Sequence, residues 1–171
     1  ADILLASHRA LREVLAEEWA GRDADLPYRT PYEALIMASL VENETGVAEE
    51  RQQIAGVFVR RLQKGMLLQT DPAVIYGLGE SFDGNLTREH LRTPGPYNTY
   101  LNAGLPPSPI ALPGRAAIRA ALHPAPGSTL YFVARGDGSH EFSASLEEHN
   151  RAVRKYQLQR RGKAYRSRPQ G

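Results

Sequence analysis

Residues 30–41 constrain the fold of this chain more than any other segment, because they form a helix that is apolar on nearly every side. Thr30 is suited to cap the helix, Pro31 suits its first position, and Glu33 completes a capping box. The apolar positions are Ala34, Leu35, Ile36, Met37, Ala38, Leu40 and Val41. A helix that is apolar all round has to be buried, so this one is predicted to lie deep in the core and to stop by Gly46.

The remaining elements place the chain in the α+β class. Apolar residues at helical spacing predict four further helices, at about 3–20, 48–64, 115–122 and 145–161. Leu130–Ala134 and His140–Ser143, joined by a Gly-Asp-Gly turn, predict a β-hairpin. Residues 66–114 are rich in proline and turn pairs and poor in helix signals, which is typical of a functional loop region. We therefore expect an α-rich domain with a small β-hairpin and a long loop-rich middle segment.

Length and composition exclude several protein classes. The chain has 171 residues and 42% apolar residues, which fits one domain with a real core. It has no cysteine, so a disulfide scaffold and a thiolate zinc site are excluded. There is no run of ~18 apolar residues to span a membrane and no signal-peptide pattern at the N-terminus.

Charge is divided unevenly along the chain. Residues 151–171 hold eight of the 21 basic residues and no acid, which leaves 13 basic against 19 acidic residues in the body. A basic tail can meet nucleic acid, anionic lipid or an acidic polymer, although a solvated helix end is the simpler interpretation. The body has no basic stripe with interleaved aromatic residues, so no nucleic-acid partner is expected.

Glu42 is the most informative candidate for chemistry, because it is an acid in the last turn of an apolar helix. Desolvation and the negative end of the helix dipole both raise the pKa of a carboxyl group. Such a group can donate a proton near neutral pH and then take one back. Glu42 could instead point to solvent where the helix ends. Glu44 competes for the same role but, beyond the apolar run, is expected nearer the surface.

A second catalytic carboxylate is not evident. Glycoside hydrolases usually use two, and the sequence does not place Asp71 or Glu141 beside Glu42. A reaction that needs one carboxyl group therefore suits the chain better.

Polar and aromatic side chains in the loop region suit a carbohydrate ligand. They occur in Gln69-Thr70-Asp71, in Tyr97-Asn98-Thr99-Tyr100 and beside the Pro106-Pro107 turn. Ordinary turn chemistry is the alternative. His140 and His149 are further candidates, for which a structural hydrogen bond is the simpler role. No histidine pair has metal-ligand spacing, so neither a metal nor another cofactor is expected.

Taken together, the motifs resemble the endolytic murein transglycosylase family, MltG (formerly YceG). The resemblance covers residues 30–155 and rests on segments that follow one another in family order. They are Ala38-Ser39-Leu40-Val41-Glu42-Asn43-Glu44-Thr45, Ala55-Gly56-Val57-Phe58-Val59-Arg60-Arg61-Leu62, Leu68-Gln69-Thr70-Asp71-Pro72-Ala73-Val74-Ile75-Tyr76-Gly77, Tyr97-Asn98-Thr99-Tyr100, Gly104-Leu105-Pro106-Pro107, Leu130-Tyr131-Phe132-Val133-Ala134, His140-Glu141-Phe142-Ser143 and Glu148-His149-Asn150.

The resemblance implies a lysozyme-like catalytic domain with Glu42 as the catalytic residue. The family cleaves the β-1,4 bond between N-acetylmuramic acid and N-acetylglucosamine without water and leaves 1,6-anhydro ends. One carboxyl group then serves as acid and afterwards as base. For glycan binding, or for holding Glu42 in place, we predict Gln69, Thr70, Asp71, Tyr97, Asn98 and His140. A muramidase that adds water and a non-catalytic peptidoglycan-binding scaffold are the alternatives.

The resemblance also implies a cellular setting. Family members are single-pass proteins of the inner membrane with the catalytic part in the periplasm, so the partners expected are peptidoglycan glycan strands and peptidoglycan synthases. The membrane anchor and the LysM-like part of the family are absent here, so we expect an excised catalytic domain. Its predicted parts are an N-terminal helix and connector (1–29), the transglycosylase domain (30–155) and a basic tail (156–171).

Overall fold

Seven α-helices and one β-hairpin make up the part of the chain that the structure describes. The computed structural model describes residues 2–162, with side chains from 3 to 159. The helices are α1 (Asp2–Ala20), α2 (Pro31–Glu44), α3 (Arg51–Gln63), α4 (Asp71–Leu78), α5 (Arg88–Arg92), α6 (Arg115–Leu122) and α7 (Leu146–Gly162), and the strands are β1 (Tyr131–Ala134) and β2 (His140–Ser143). The predicted α+β class is confirmed, and a lysozyme-like architecture stays a prediction.

Helix α2 is the centre of the core, as its sequence requires. Met37, Ala38, Leu40 and Val41 are fully buried, and α1, α3, α4 and α6 all pack against the helix. Burying one leucine- or valine-sized side chain is worth about 1.5–3 kcal/mol, so this helix supplies a large share of the folding energy. Its start differs slightly from the prediction, because the Glu33 carboxylate accepts from the backbone N–H of Arg29, not from that of the N-cap residue.

The middle segment contains two helices that the sequence did not indicate. α4 begins at Asp71, with Thr70 in the N-cap position and Pro72 in the first turn, and α5 begins after a capping box at Thr87. In α4 the apolar residues run consecutively from Ala73 to Tyr76, between Pro72 and Gly77, and α5 has only five residues, so neither shows a helical period. The prediction of an irregular segment over 66–114 is thus wrong for these two stretches.

The predicted β-hairpin is confirmed, and its register fixes which side chains face the body of the protein. β1 pairs antiparallel with β2, with Phe132 opposite Phe142 and Ala134 opposite His140. The Phe132 ring contacts Phe58 of α3 edge-on, with 5.6 Å between centroids. Side chains alternate along a strand, so His140 lies on the same face of the hairpin as Phe132 and Phe142, turned toward α3.

The two ends of the chain relate differently to this core. Leu11, Val14, Leu15 and Trp19 of α1 pack against the core from its edge. At the other end, α7 runs to Gly162 and so includes the first residues of the predicted basic tail (156–171), and the rest of that tail lies outside the described part. Among the helices of residues 2–162, none combines the length and apolarity needed to cross a bilayer.

Candidate active site

A cleft of about 470 Å³ lies between α3, the start of α4 and the hairpin. Apolar side chains, including Phe58 and Phe132, form part of its wall. The polar side chains that line it come from every surrounding element and are Glu44, Arg61, Gln69, Asp71, Tyr100, His140 and His149. Three of the predicted binding residues, Gln69, Asp71 and His140, are therefore brought to one cleft.

Glu44, the last residue of α2, is the carboxylate in this cleft with the most unusual environment. The Thr70 hydroxyl donates a hydrogen bond to its Oε1 over 2.6 Å. Burial raises the pKa of Glu44, and the Asp71 carboxylate raises it further. The Thr70 hydrogen bond opposes that rise, as a positive charge on His140 would. The group is thus biased toward its protonated form while it is held in one orientation.

Glu42 points elsewhere, because successive helical residues are about 100° apart and two positions therefore differ by about 200°. Its Oε1 accepts a hydrogen bond from the backbone N–H of Gly114, at the start of α6, over 3.2 Å. It is half-buried, and it is not among the side chains that line the cleft. The structure therefore separates Glu42 from the residues predicted to bind glycan with it.

At the N-terminus of α4, Asp71 lines the cleft and Thr70 lies buried behind it. Thr70 is only 1% exposed, and its backbone N–H donates to the Thr99 hydroxyl over 2.9 Å. Thr70 was predicted to bind glycan or to hold Glu42 in place, whereas the carboxyl group that its hydroxyl contacts is that of Glu44. Asp71 Oδ1 accepts a short hydrogen bond from the Tyr100 hydroxyl, and burial together with this contact raises the pKa of Tyr100.

Gln69 reaches the cleft through an unusual backbone conformation. Its φ angle is +52°, in the left-handed region that residues other than glycine rarely adopt. Such strain concentrates at functional sites, where the surrounding structure over-determines it. The side chain is exposed and lines the cleft, so it is free to meet a ligand.

His140, Arg61 and His149 line the hairpin side of the cleft. The ring Nδ1 of His140 lies 2.7 Å from Glu50 Oε2. Arg61 donates from Nε to the carbonyl of Leu130 over 2.6 Å, which ties α3 to the start of the hairpin. Burial, with a smaller contribution from Arg61, lowers the pKa of His149.

Tyr97 and Asn98 are not brought to the cleft, although both were predicted to bind glycan. The Tyr97 hydroxyl is hydrogen-bonded to Ser108 Oγ at 2.6 Å. Asn98 is 4% exposed, and its amide donates to the carbonyls of Leu91 and Thr93 over 3.0 and 2.8 Å. Both side chains stabilise the loop whose next residues carry Thr99 and Tyr100 to the site.

Reasoning from sequence missed two contributions and misjudged the surroundings of a third residue. Glu44 was expected near the surface because the apolar run stops at Val41, yet α2 continues through Glu44 and Thr45 beyond it is buried. The helical angle between Glu42 and Glu44 is a signal that could have shown that only one of them faces a given groove. Glu50 and Arg61 left no local signal, since their partners lie 90 and 69 residues away.

Two other features offer a weaker basis for acid–base chemistry. A larger apolar groove of about 980 Å³ between α1, α2 and residues 109–115 has no carboxylate in its lining. Across the described residues, no three histidine, cysteine, aspartate or glutamate side chains are grouped so that they could hold a metal ion. The cleft of Glu44 is therefore the site where proton transfer to a ligand is best supported.

Comparisons with known proteins identify the family of the chain. The model of the YceG-like family matches residues 1–155. An endolytic murein transglycosylase of Bacillus subtilis (strain 168) is 46% identical over 125 residues, which are 73% of this chain and 34% of that protein. One from Streptococcus pneumoniae (strain D39) is 36% identical over 129 residues, 72% of this chain and 23% of that protein.

A solved structure gives the same result. The crystal structure of a yceG-like protein from Listeria monocytogenes superposes with a TM-score of 0.70 at 39% identity, covering 85% of this chain and 45% of that one. The present chain spans about a third or less of the two transglycosylases above. Because the family model covers almost the whole described chain and the identities are high, the chain belongs to the YceG-like family.

Proposed function

We propose that this chain is the catalytic part of an endolytic lytic transglycosylase of peptidoglycan. The observation that carries the proposal is that Glu44, one of the two carboxyl groups in the cleft, has a pKa raised by burial and lies among amide, hydroxyl and imidazole side chains. The name shared by the B. subtilis and S. pneumoniae relatives supports the substrate class. The bond cleaved is the β-1,4 link between N-acetylmuramic acid and N-acetylglucosamine.

The reaction takes two proton transfers through one group. Protonated Glu44 donates to the glycosidic oxygen, and the bond from that oxygen to the anomeric carbon breaks. The muramic acid C6 hydroxyl then attacks the anomeric carbon, and the Glu44 carboxylate takes its proton. The product is a 1,6-anhydro end with no water added. A raised pKa favours the first step, and the Thr70 hydrogen bond stabilises the carboxylate needed for the second. The attack is intramolecular, so the entropic cost of positioning a water is avoided.

Paired isosteric variants distinguish the two candidate acids. Glu44→Gln is expected to abolish release of anhydro-muropeptides from peptidoglycan, because its amide has no acidic proton. Glu42→Gln is the matched control and is expected to keep cleavage, since Glu42 faces the start of α6. Mass spectrometry of the soluble products and circular dichroism of both variants are the measurements. Loss of cleavage in a folded Glu42→Gln protein, with Glu44→Gln active, would restore the assignment to Glu42.

A hydrolase is the second candidate, because Asp71 lines the same cleft as Glu44. Hydrolysis would use Asp71 as base or nucleophile and Glu44 as acid. The Tyr100 hydroxyl engages Asp71, which favours a supporting role for this carboxylate. Products carrying an added water at a reducing end, and their loss in Asp71→Asn, would favour the hydrolase. Binding of glycan strands without cleavage by the full-length protein would favour a scaffold.

The cellular setting is part of the same proposal. Within a full-length protein, the catalytic part would work in the periplasm at the end of a single inner-membrane anchor, beside peptidoglycan synthases. Cell fractionation and co-purification of the full-length protein are the direct tests. Recovery of the full-length protein in the soluble fraction without associated synthases would contradict this setting.

A further inference from the structure

Glu50 contacts His140 through both of its carboxylate oxygens. Glu50 ends a 3-10 turn, Ala48–Glu50, that leads into α3, whereas His140 opens β2, 90 residues later. Oε1 accepts from the backbone N–H of His140 over 2.8 Å, and Oε2 lies 2.7 Å from its ring Nδ1. The His140 side chain is 9% exposed and the Glu50 side chain 12%, so water competes poorly for these contacts.

The chemistry of the two partners fixes where the imidazole proton sits. An ionised carboxylate only accepts hydrogen bonds, so Nδ1 must be the donor to Oε2. In the neutral imidazole, Nε2 then carries the lone pair. The ring lines the cleft, and no other residue of the described chain is hydrogen-bonded to Nε2. Phe132 packs edge-on against the ring with 5.5 Å between centroids, which restricts its rotation.

A purely structural link between the turn and the hairpin would not need the second contact. The bond from the His140 backbone N–H already joins the two segments. The bond to Nδ1 adds nothing to that connection, but it selects one tautomer and one ring orientation, as carboxylates do for histidines that ligate metals.

We propose that Glu50 is a positioning residue that holds His140 as the Nδ1–H tautomer, so that Nε2 accepts a hydrogen bond from an acetamido N–H of the glycan. The identity of the ligand rests on the proposed function, whereas the tautomer does not. An acetamido group is present on both sugars of the proposed substrate, and an acceptor fixed in the cleft beside Glu44 would orient the strand for proton transfer.

The tautomer is tested by NMR on the wild-type chain. Two-bond ¹H–¹⁵N correlations of labelled histidine rings distinguish Nδ1–H from Nε2–H, and backbone connectivity assigns His140 among the five histidines. The expected pattern is Nδ1–H in the wild type and a shift toward Nε2–H in Glu50→Gln, whose amide can donate to Nδ1. Glu49→Gln, an exposed neighbour in the same turn, is the control and should keep the wild-type pattern. A wild-type His140 in the Nε2–H form, or one that is doubly protonated at neutral pH, overturns the proposal even if Glu50→Gln does not fold.

The ligand is tested by binding in the non-cleaving Glu44→Gln background. We compare N-acetylated glycan strands with chemically de-N-acetylated strands by isothermal titration calorimetry. The added Glu50→Gln substitution should reduce the preference for acetylated strands by about 3–10-fold, the range of one neutral hydrogen bond, and Glu49→Gln should not. Equal loss of affinity for both glycans would mean that Glu50 only supports the fold. If neither glycan binds while His140 is Nδ1–H, the proposed function and the ligand fail, and the positioning role stands.

Discussion

Replacing Thr70 with valine removes one hydroxyl group from contact with Glu44 and nearly keeps the shape of the side chain. The lost bond is the 2.6 Å donation from Thr70 Oγ1 to Glu44 Oε1. Thr70 is 1% exposed, so water cannot take its place. A hydrogen bond to a charged group is worth about 1.5–3 kcal/mol, and one between neutral groups about 0.5–1.5 kcal/mol. The variant should therefore lose more stability where Glu44 is ionised than where it is protonated.

Urea denaturation and thermal melts across pH measure this effect. For a chain of this length, 1 kcal/mol corresponds to about 2–4 °C in Tm, so a loss of about 3–12 °C is expected on the alkaline side. Thr70→Ser is the control, because it keeps the hydroxyl and loses one methyl group. It should cost about 1 kcal/mol at every pH.

The pH profile of cleavage is a second, independent measurement of the same hydrogen bond. The hydroxyl stabilises the ionised form of Glu44 and so lowers its pKa. Thr70→Val should therefore raise the pKa of Glu44 and move the alkaline limb of the cleavage profile to higher pH. Equal losses of stability in both variants at all pH values, with an unmoved alkaline limb, would refute the assignment of this bond to the ionised Glu44.

Three further predictions follow from burial and close packing. Because the folded pKa of Glu44 is raised, its ionisation destabilises the folded state, so Glu44→Gln should be more stable than the wild type above that pKa and lose the advantage at acidic pH in urea titrations. The pKa of His149 is lowered, so its NMR titration midpoint should lie below the ordinary imidazole value, and stability should fall as pH drops through that ordinary value; a midpoint above it contradicts the burial. Gly56→Ala would put a Cβ 2.5 Å from the Ala125 carbonyl oxygen and should cost about 1–3 kcal/mol in denaturant unfolding, whereas a gain would show that the two segments separate easily.

Much of the fold could be predicted because its signals are local. The cap at Thr30 and the apolar run after it gave a buried helix, and alternation around a Gly-Asp-Gly turn gave the hairpin with His140 on β2. α4 was not predicted because its apolar residues are consecutive and lie between a proline and a glycine, and α5 was not predicted because it has only five residues. Of the predicted site residues, Gln69, Asp71 and His140 line the cleft. Tyr97 and Asn98 instead form hydrogen bonds within the loop-rich middle segment.

The sequence by itself determined the family, the α+β class and the need to bury α2. It also indicated two glutamates as candidate acids, because only Glu42 and Glu44 follow the apolar run in its last turn. The tertiary structure determined which residues surround each of these two glutamates. Glu42 meets the start of α6, 72 residues away, and Glu44 meets Thr70 at the start of α4, 26 residues away. Desolvation and hydrogen bonding set the chemistry of a carboxyl group, and both depend on neighbours that only folding brings together.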